Sequence, residues 1–186
     1  MRDRTKASTP KMQLSKALSI KNMFSITYKI IDSCWVSCRL MDNDKVFEIS
    51  ATDIGDPLGH LTLGAASLLS GFNQVSFSFL EEPGEYRWNI TQSENGLVNI
   101  EILKYEDNFE INSPKNRKLI CSINCKLVEF GRAVNDICCN VLSEIGEEEY
   151  NQIWDFDRFP REAFSILKGR LKELDLLHSS NCENNA

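Results

Sequence analysis

Apolar and polar residues alternate along much of this chain, and the alternation falls into seven short runs. Phe24, Ile26, Tyr28 and Ile30 are separated by Ser25, Thr27 and Lys29. Val36, Cys38 and Leu40 then alternate with Trp35, Ser37 and Arg39, and residues 46–50 follow the turn signal Asp42-Asn43-Asp44 as a third run. A period of two with one apolar and one polar side marks a half-buried strand. Residues 75–103 carry three more in succession, with Val75, Phe77 and Phe79, then Tyr86, Trp88 and Ile90, then Val98, Ile100 and Ile102 on the apolar side. Leu119, Cys121, Ile123, Cys125 and Leu127 make the seventh.

Between the third and fourth runs the period changes. Leu58, Leu61, Ala65, Leu68 and Leu69 recur at helical spacing, Asp56 and Pro57 suit the start of a helix, and Gly71 suits its end. A second helical face runs through Phe130, Val134, Ile137, Cys138, Val141 and Ile145 and stops at Gly146. A short helix is expected within residues 147–157, with Tyr150, Ile153, Trp154 and Phe156 along its inner edge, and a last one after Pro160, through Phe164, Leu167, Leu171 and Leu174. The pattern predicts an α+β fold: an antiparallel sheet of about seven strands, one helix inserted after strand three, and two to three C-terminal helices whose apolar stripes cover one sheet face. Residues 23–178 form this single domain. Residues 1–22 are expected as a disordered basic arm and residues 179–186 as a disordered tail.

Two connections have distinct turn chemistry. Asn95-Gly96 suits a hairpin turn, because both tolerate positive φ. Pro83-Gly84 instead suits a type II turn, which matches strand twist poorly and predicts a longer loop with Glu81, Glu82 and Glu85 at its rim. Residues 105–118 read as a polar loop.

With 186 residues, 42% of them hydrophobic, and ten Phe and three Trp, the chain can bury a substantial core. The net charge of −6 is unevenly placed. Residues 1–22 hold six bases and one acid, leaving fifteen bases against twenty-six acids, or −11, on the remainder. Such a body disfavours nucleic acid and favours a basic protein partner. No apolar run is long enough for a membrane span, and the N-terminus lacks the apolar stretch of a secretion signal, so a cytoplasmic location is expected. The seven cysteines include no Cys-x-x-Cys pair and read as small buried hydrophobes.

Catalytic material is sparse. The two histidines, His60 and His178, sit beside no nucleophile motif, and no phosphate-binding glycine loop or metal-binding helix motif occurs. Carboxylates are abundant: Asp53 and Asp56 before one helix, Asp155 and Asp157 before another, and Glu81, Glu82 and Glu85 around the Pro83 turn. Acids before helices cap them, and acids around a turn are usually solvated. Arg87, between Tyr86 and Trp88, is placed to pair with Glu101 across the sheet or to lie on Trp35. Trp35, Glu81, Glu82, Glu85 and Arg87 on one open face would make a protein-binding surface. No catalytic, cofactor-binding or metal-binding residue is assigned.

Asp56-Pro57-Leu58-Gly59, followed by an apolar helix and then Glu82-Pro83-Gly84-Glu85-Tyr86-Arg87-Trp88, resembles a pattern in a family of small uncharacterised bacterial proteins across residues 24–175. That resemblance implies no activity. In general character the chain is also similar to immunity proteins of polymorphic or contact-dependent toxin systems, including those near Rhs-type genes. The combined expectation is a non-catalytic acidic binding protein without a cofactor, an immunity protein that neutralises a basic toxin. The alternatives are an enzyme that uses its carboxylates with a divalent metal, and a structural subunit of a larger assembly.

Overall fold

A computed structural model describes residues 23–93, 95–106, 117–154 and 158–183, with residues 178–183 described through their backbone alone. The basic arm, most of the polar loop, Phe156, Asp155, Asp157 and the His178 side chain lie outside the described residues. The elements run β1 (Phe24–Ile30), β2 (Trp35–Asp42), β3 (Lys45–Thr52), α1 (Pro57–Leu69), β4 (Gln74–Leu80), β5 (Glu85–Gln92), β6 (Leu97–Tyr105), β7 (Arg117–Lys126), α2 (Leu127–Glu144), α3 (Glu147–Ile153) and α4 (Arg161–Glu183). Among the described residues the fold is α+β, with seven antiparallel strands, a helix after the third and three C-terminal helices. α4 runs to Glu183, past the domain end expected at residue 178.

The seven strands form two sheets instead of one. β1-β2-β3 and β4-β5-β6-β7 are each a simple meander. α1 lies between β3 and β4 in the chain, and these two strands are not paired by a backbone ladder but meet near their C-terminal ends. There the contact is made by side chains, with Thr52 Oγ1 donating to the Leu80 carbonyl at 3.2 Å and Ser50 Oγ donating to Glu81. The hairpin turns follow the local chemistry. Asn43 takes positive φ (54°) between Asp42 and its partner Lys45, and Gly96 does so (69°) between β5 and β6.

Helix α1 begins where Asp56 accepts a hydrogen bond from the Gly59 amide at 2.6 Å, which satisfies one of the unpaired donors of the first turn. Gly64 lets it lie close on β4, since a Cβ there would stand 2.9 Å from Phe77 Cε1. At the start of α2, Glu129 accepts from the Lys126 amide at 3.2 Å. Leu127, placed by its alternation in the last strand, is instead the first residue of this helix. α1, α2 and α4 pack together, with α1 against β4 and α2 against β1. Tyr150 and Trp154 of the α3 region are buried beside Phe159 and Phe164, whose rings meet edge to face.

All of this closes over one core. Trp88 is fully buried, with ring centroids of Phe77 and Phe79 at 5.5 and 5.2 Å, and such aromatic packing adds about 1 kcal/mol per pair beyond area burial. Cys38 of β2 and Cys121 of β7 are near enough to interact electrostatically, so the inward faces of both sheets contribute to the same core. Among the described residues, no helix is long and apolar enough to cross a membrane.

Four of the six described cysteines, Cys38, Cys121, Cys125 and Cys138, are buried free thiols, as their place on apolar faces suggested. Burial pushes Cys125 up to about 12 and Cys121 and Cys138 to about 11, and raises Cys38 further. Cys34 and Cys139 are exposed, against the expectation that the cysteines are buried: Cys34 precedes β2, and Cys139 lies off the inward face of α2 that Cys138 occupies. A thiol reagent at neutral pH is therefore expected to modify Cys34 and Cys139 in the native protein and to leave these four unmodified until denaturant is added. Peptide mapping by mass spectrometry checks the pattern, and rapid native labelling of Cys38 would contradict the burial.

Candidate functional site

The β4–β5 turn is where the chain concentrates acidic residues next to aromatic strands, and its geometry decides what those acids can do. Leu80 pairs with Glu85, leaving Glu81, Glu82, Pro83 and Gly84 as the connection. The Glu81 amide donates to the Gly84 carbonyl at 2.9 Å. The Glu82-Pro83 peptide bond is cis. Gly84 does take positive φ, at 111°, and a Cβ there would stand 2.3 Å from the Tyr105 carbonyl oxygen. Glycine is required at this position on both counts.

Glu81 and Glu85 are not on the rim. The Glu81 side chain is 13% exposed; it accepts from Ser50 Oγ, and Lys104 Nζ lies 3.4 Å from its other oxygen. Lys104 also donates to the Tyr86 hydroxyl at 3.3 Å and lies 5.0 Å from the centre of that ring. Burial by itself lowers the Lys104 pKa, but the Tyr86 hydrogen bond and the Glu81 carboxylate outweigh it and the net shift is upward. An ammonium with a raised folded-state pKa stabilises the fold throughout the neutral range, and that contribution fades only as pH climbs through the raised value.

Glu85 is 4% exposed and is ion-paired with Arg87, two residues further along the same face of β5. The guanidinium carbon of Arg87 stands 4.7 Å from the centre of the Tyr105 ring. Arg87 therefore does not pair with Glu101, which lies opposite Asn89, nor lie on Trp35. The reason is topological: Trp35 belongs to the other sheet, and within its own sheet Arg87 lies between Ser78 and Leu103. The acid two residues back on the same face is closer than any cross-strand acid.

Trp35 is nonetheless brought toward the turn. It pairs with Thr52, whose hydroxyl reaches the Leu80 carbonyl beside Glu81. Its side chain is 38% exposed, and Glu82 is also exposed. Of the five residues singled out from the sequence, Trp35 and Glu82 are thus surface groups near the joint between the sheets. Arg87 is half-buried, and Glu81 and Glu85 are interior anchors that hold the turn. Sequence reasoning missed Lys104, Tyr105, Ser50 and Thr52. Extending the β6 alternation two residues beyond Leu103 would have put Lys104 on the face of Tyr86 and Tyr105 on that of Glu85.

Chemically, these acids are engaged. Asp56 caps α1, Glu81 is held by Ser50 and Lys104, and Glu85 by Arg87. Among the described residues, no group of three or more His, Cys, Asp and Glu side chains is placed to hold a metal ion.

The two members of the buried pair are expected to respond unequally to truncation. Arg87→Ala strands a carboxylate that is almost wholly buried and should cost about 3 kcal/mol. Glu85→Ala leaves a guanidinium that is partly solvated and rests on Tyr105, and should cost about 1.5 kcal/mol. Urea unfolding of both variants and the double variant measures the difference, and equal losses would contradict the burial asymmetry.

Comparison of the chain with family models, with curated proteins and with solved structures finds no match in any of the three.

Proposed function

We propose that this chain is a non-catalytic binding protein that captures a basic protein partner, and that it acts in the cytoplasm as an immunity protein occluding a basic toxin domain. The observation that carries this reading is the charge: beyond the basic arm, fifteen bases face twenty-six acids. A net charge of this size speeds encounter with a basic partner and penalises acidic ones.

The β4–β5 turn supports the same reading. Its interior acids are fixed by Ser50, Lys104 and Arg87, so the turn is held in place before any partner arrives. Preorganisation of this kind lowers the entropic cost of association. Exposed Trp35 and Glu82, with the solvated part of Arg87, then offer an aromatic anchor and a polar rim. In this reading Glu81 and Glu85 position the turn, and Trp35 and Glu82 meet the partner. The engaged state of Asp56, Glu81 and Glu85 also weighs against the alternative of a carboxylate-metal enzyme, which needs such groups free to ligate.

Co-expression with the toxin domain encoded by an adjacent gene is expected to protect the host and to give a complex that weakens as salt is raised. Glu82→Lys and Trp35→Ala should each weaken it about tenfold or more, as for interface anchors. Absence of both complex at low salt and protection would overturn the proposal. Calorimetric titration with Mg²⁺, Mn²⁺ and Ca²⁺ should be silent, whereas saturable heat at one ion per chain would favour the enzyme.

A further inference from the structure

From Pro57 through Leu80 the sequence contains no Asp, Glu, Lys or Arg, although 26% of the chain is charged. This neutral segment builds α1 and β4. Between them lies a groove of about 380 Å³, lined chiefly by His60, Leu63, Ser67, Phe72, Val75 and Phe77. Leu63 and Phe72 are 54% and 62% exposed, high values for large apolar side chains next to one another.

The groove borders a backbone edge. Among the described residues, β4 is the end strand of its sheet. The Gln92 amide donates to Asn73 at 2.7 Å and the Glu81 amide to Gly84 at 2.9 Å, which fixes the phase: odd-numbered residues bond to β5, and the backbone groups of Gln74, Ser76, Ser78 and Leu80 point outward. Two of these are met by side chains, the Leu80 carbonyl by Thr52 Oγ1 and the Ser78 carbonyl by His60 Nδ1 at 3.4 Å. Those of Gln74 and Ser76 face no strand among the described residues. Natural edges of this kind are usually guarded by a charge, a proline or a bulge, and Gln74–Leu80 has none of them.

We propose that two copies of this chain associate edge to edge through β4, antiparallel about a two-fold axis, with Leu63 and Phe72 of each copy covering the groove of the other. Charge selects a second copy as the occupant. A chain of net charge −6 repels its own kind over most of its surface, and residues 57–80 bring no charged side chain of their own to such a contact. A charged partner would gain nothing on this face. Symmetry is also favourable, because Gln74 and Ser76 of one copy set opposite Ser76 and Gln74 of the other satisfy the open outward groups of both at once, and the two four-stranded sheets join into one. The proposal is independent of the partner reading above, since it uses other elements and needs no toxin.

Sedimentation velocity of the full chain over a wide concentration range tests it. The mass should rise from 21.2 kDa toward twice that value. Ser76→Pro removes only an outward N–H, which an edge strand tolerates, and Phe72→Glu places a charge on an exposed position. Each should raise the dimer dissociation constant at least tenfold while the circular dichroism spectrum stays unchanged. If Ser76→Pro perturbs the fold, Phe72→Glu decides alone. A 21.2 kDa species at every concentration would overturn the proposal and leave the edge to a different protein. A dimer indifferent to Phe72→Glu would overturn it equally.

Discussion

Two antiparallel sheets in this protein are joined by side chains instead of by a backbone ladder, and most of the other features follow from that joint. Ser50 reaches Glu81 and Thr52 reaches the Leu80 carbonyl where the C-terminal ends of β3 and β4 meet. A side-chain joint leaves the strands free to diverge, so each sheet keeps its own twist while its inward face still contributes to a common core. It also draws an acid inward. Glu81 can be buried because the same contact brings it a hydroxyl, and β6 brings it Lys104.

The arrangement sorts the charges into two populations. One is internal: Glu81 with Lys104 and Glu85 with Arg87, each pair backed by the ring of Tyr86 or Tyr105. Such pairs offset a desolvation penalty more than they add stability, and they fix one conformation of the turn. The other population is solvated and unbalanced, and it gives the body its acidity. The surface carried by α1 and the β4 edge belongs to neither, being free of Asp, Glu, Lys and Arg. A partner attracted by the field and a copy accepted by the neutral face would therefore use different parts of the molecule.

The elements themselves were legible from local pattern. Period-two runs located all seven strands, and Asp56 and Pro57 located the start of α1, because strand pleat and helix capping are decided by residues a few positions apart. The candidate site was legible only in part. Trp35 and Glu82 are at the surface as expected, but Glu85 is buried, and Arg87 lies on Tyr105 and pairs with its own strand neighbour. Tyr105 escaped notice because the polar stretch after it hid the length of β6, and with it the register that sets Tyr105 opposite Glu85.

By itself the sequence determined the α+β class, the order of strands and helices, the inward side of every strand but the third, and a body with more acids than bases. These depend on spacing and composition, which the chain carries in one dimension. Only the tertiary structure decided that seven strands divide three and four, that two of the three turn acids face inward, and that β4 ends its sheet beside an apolar groove. Those outcomes turn largely on which elements distant in sequence meet: β3 with the end of β4, β6 with the turn, and α1 with β4. A hydrogen bond or ion pair between such residues is settled by the path of the whole chain, not by the residues on either side of it.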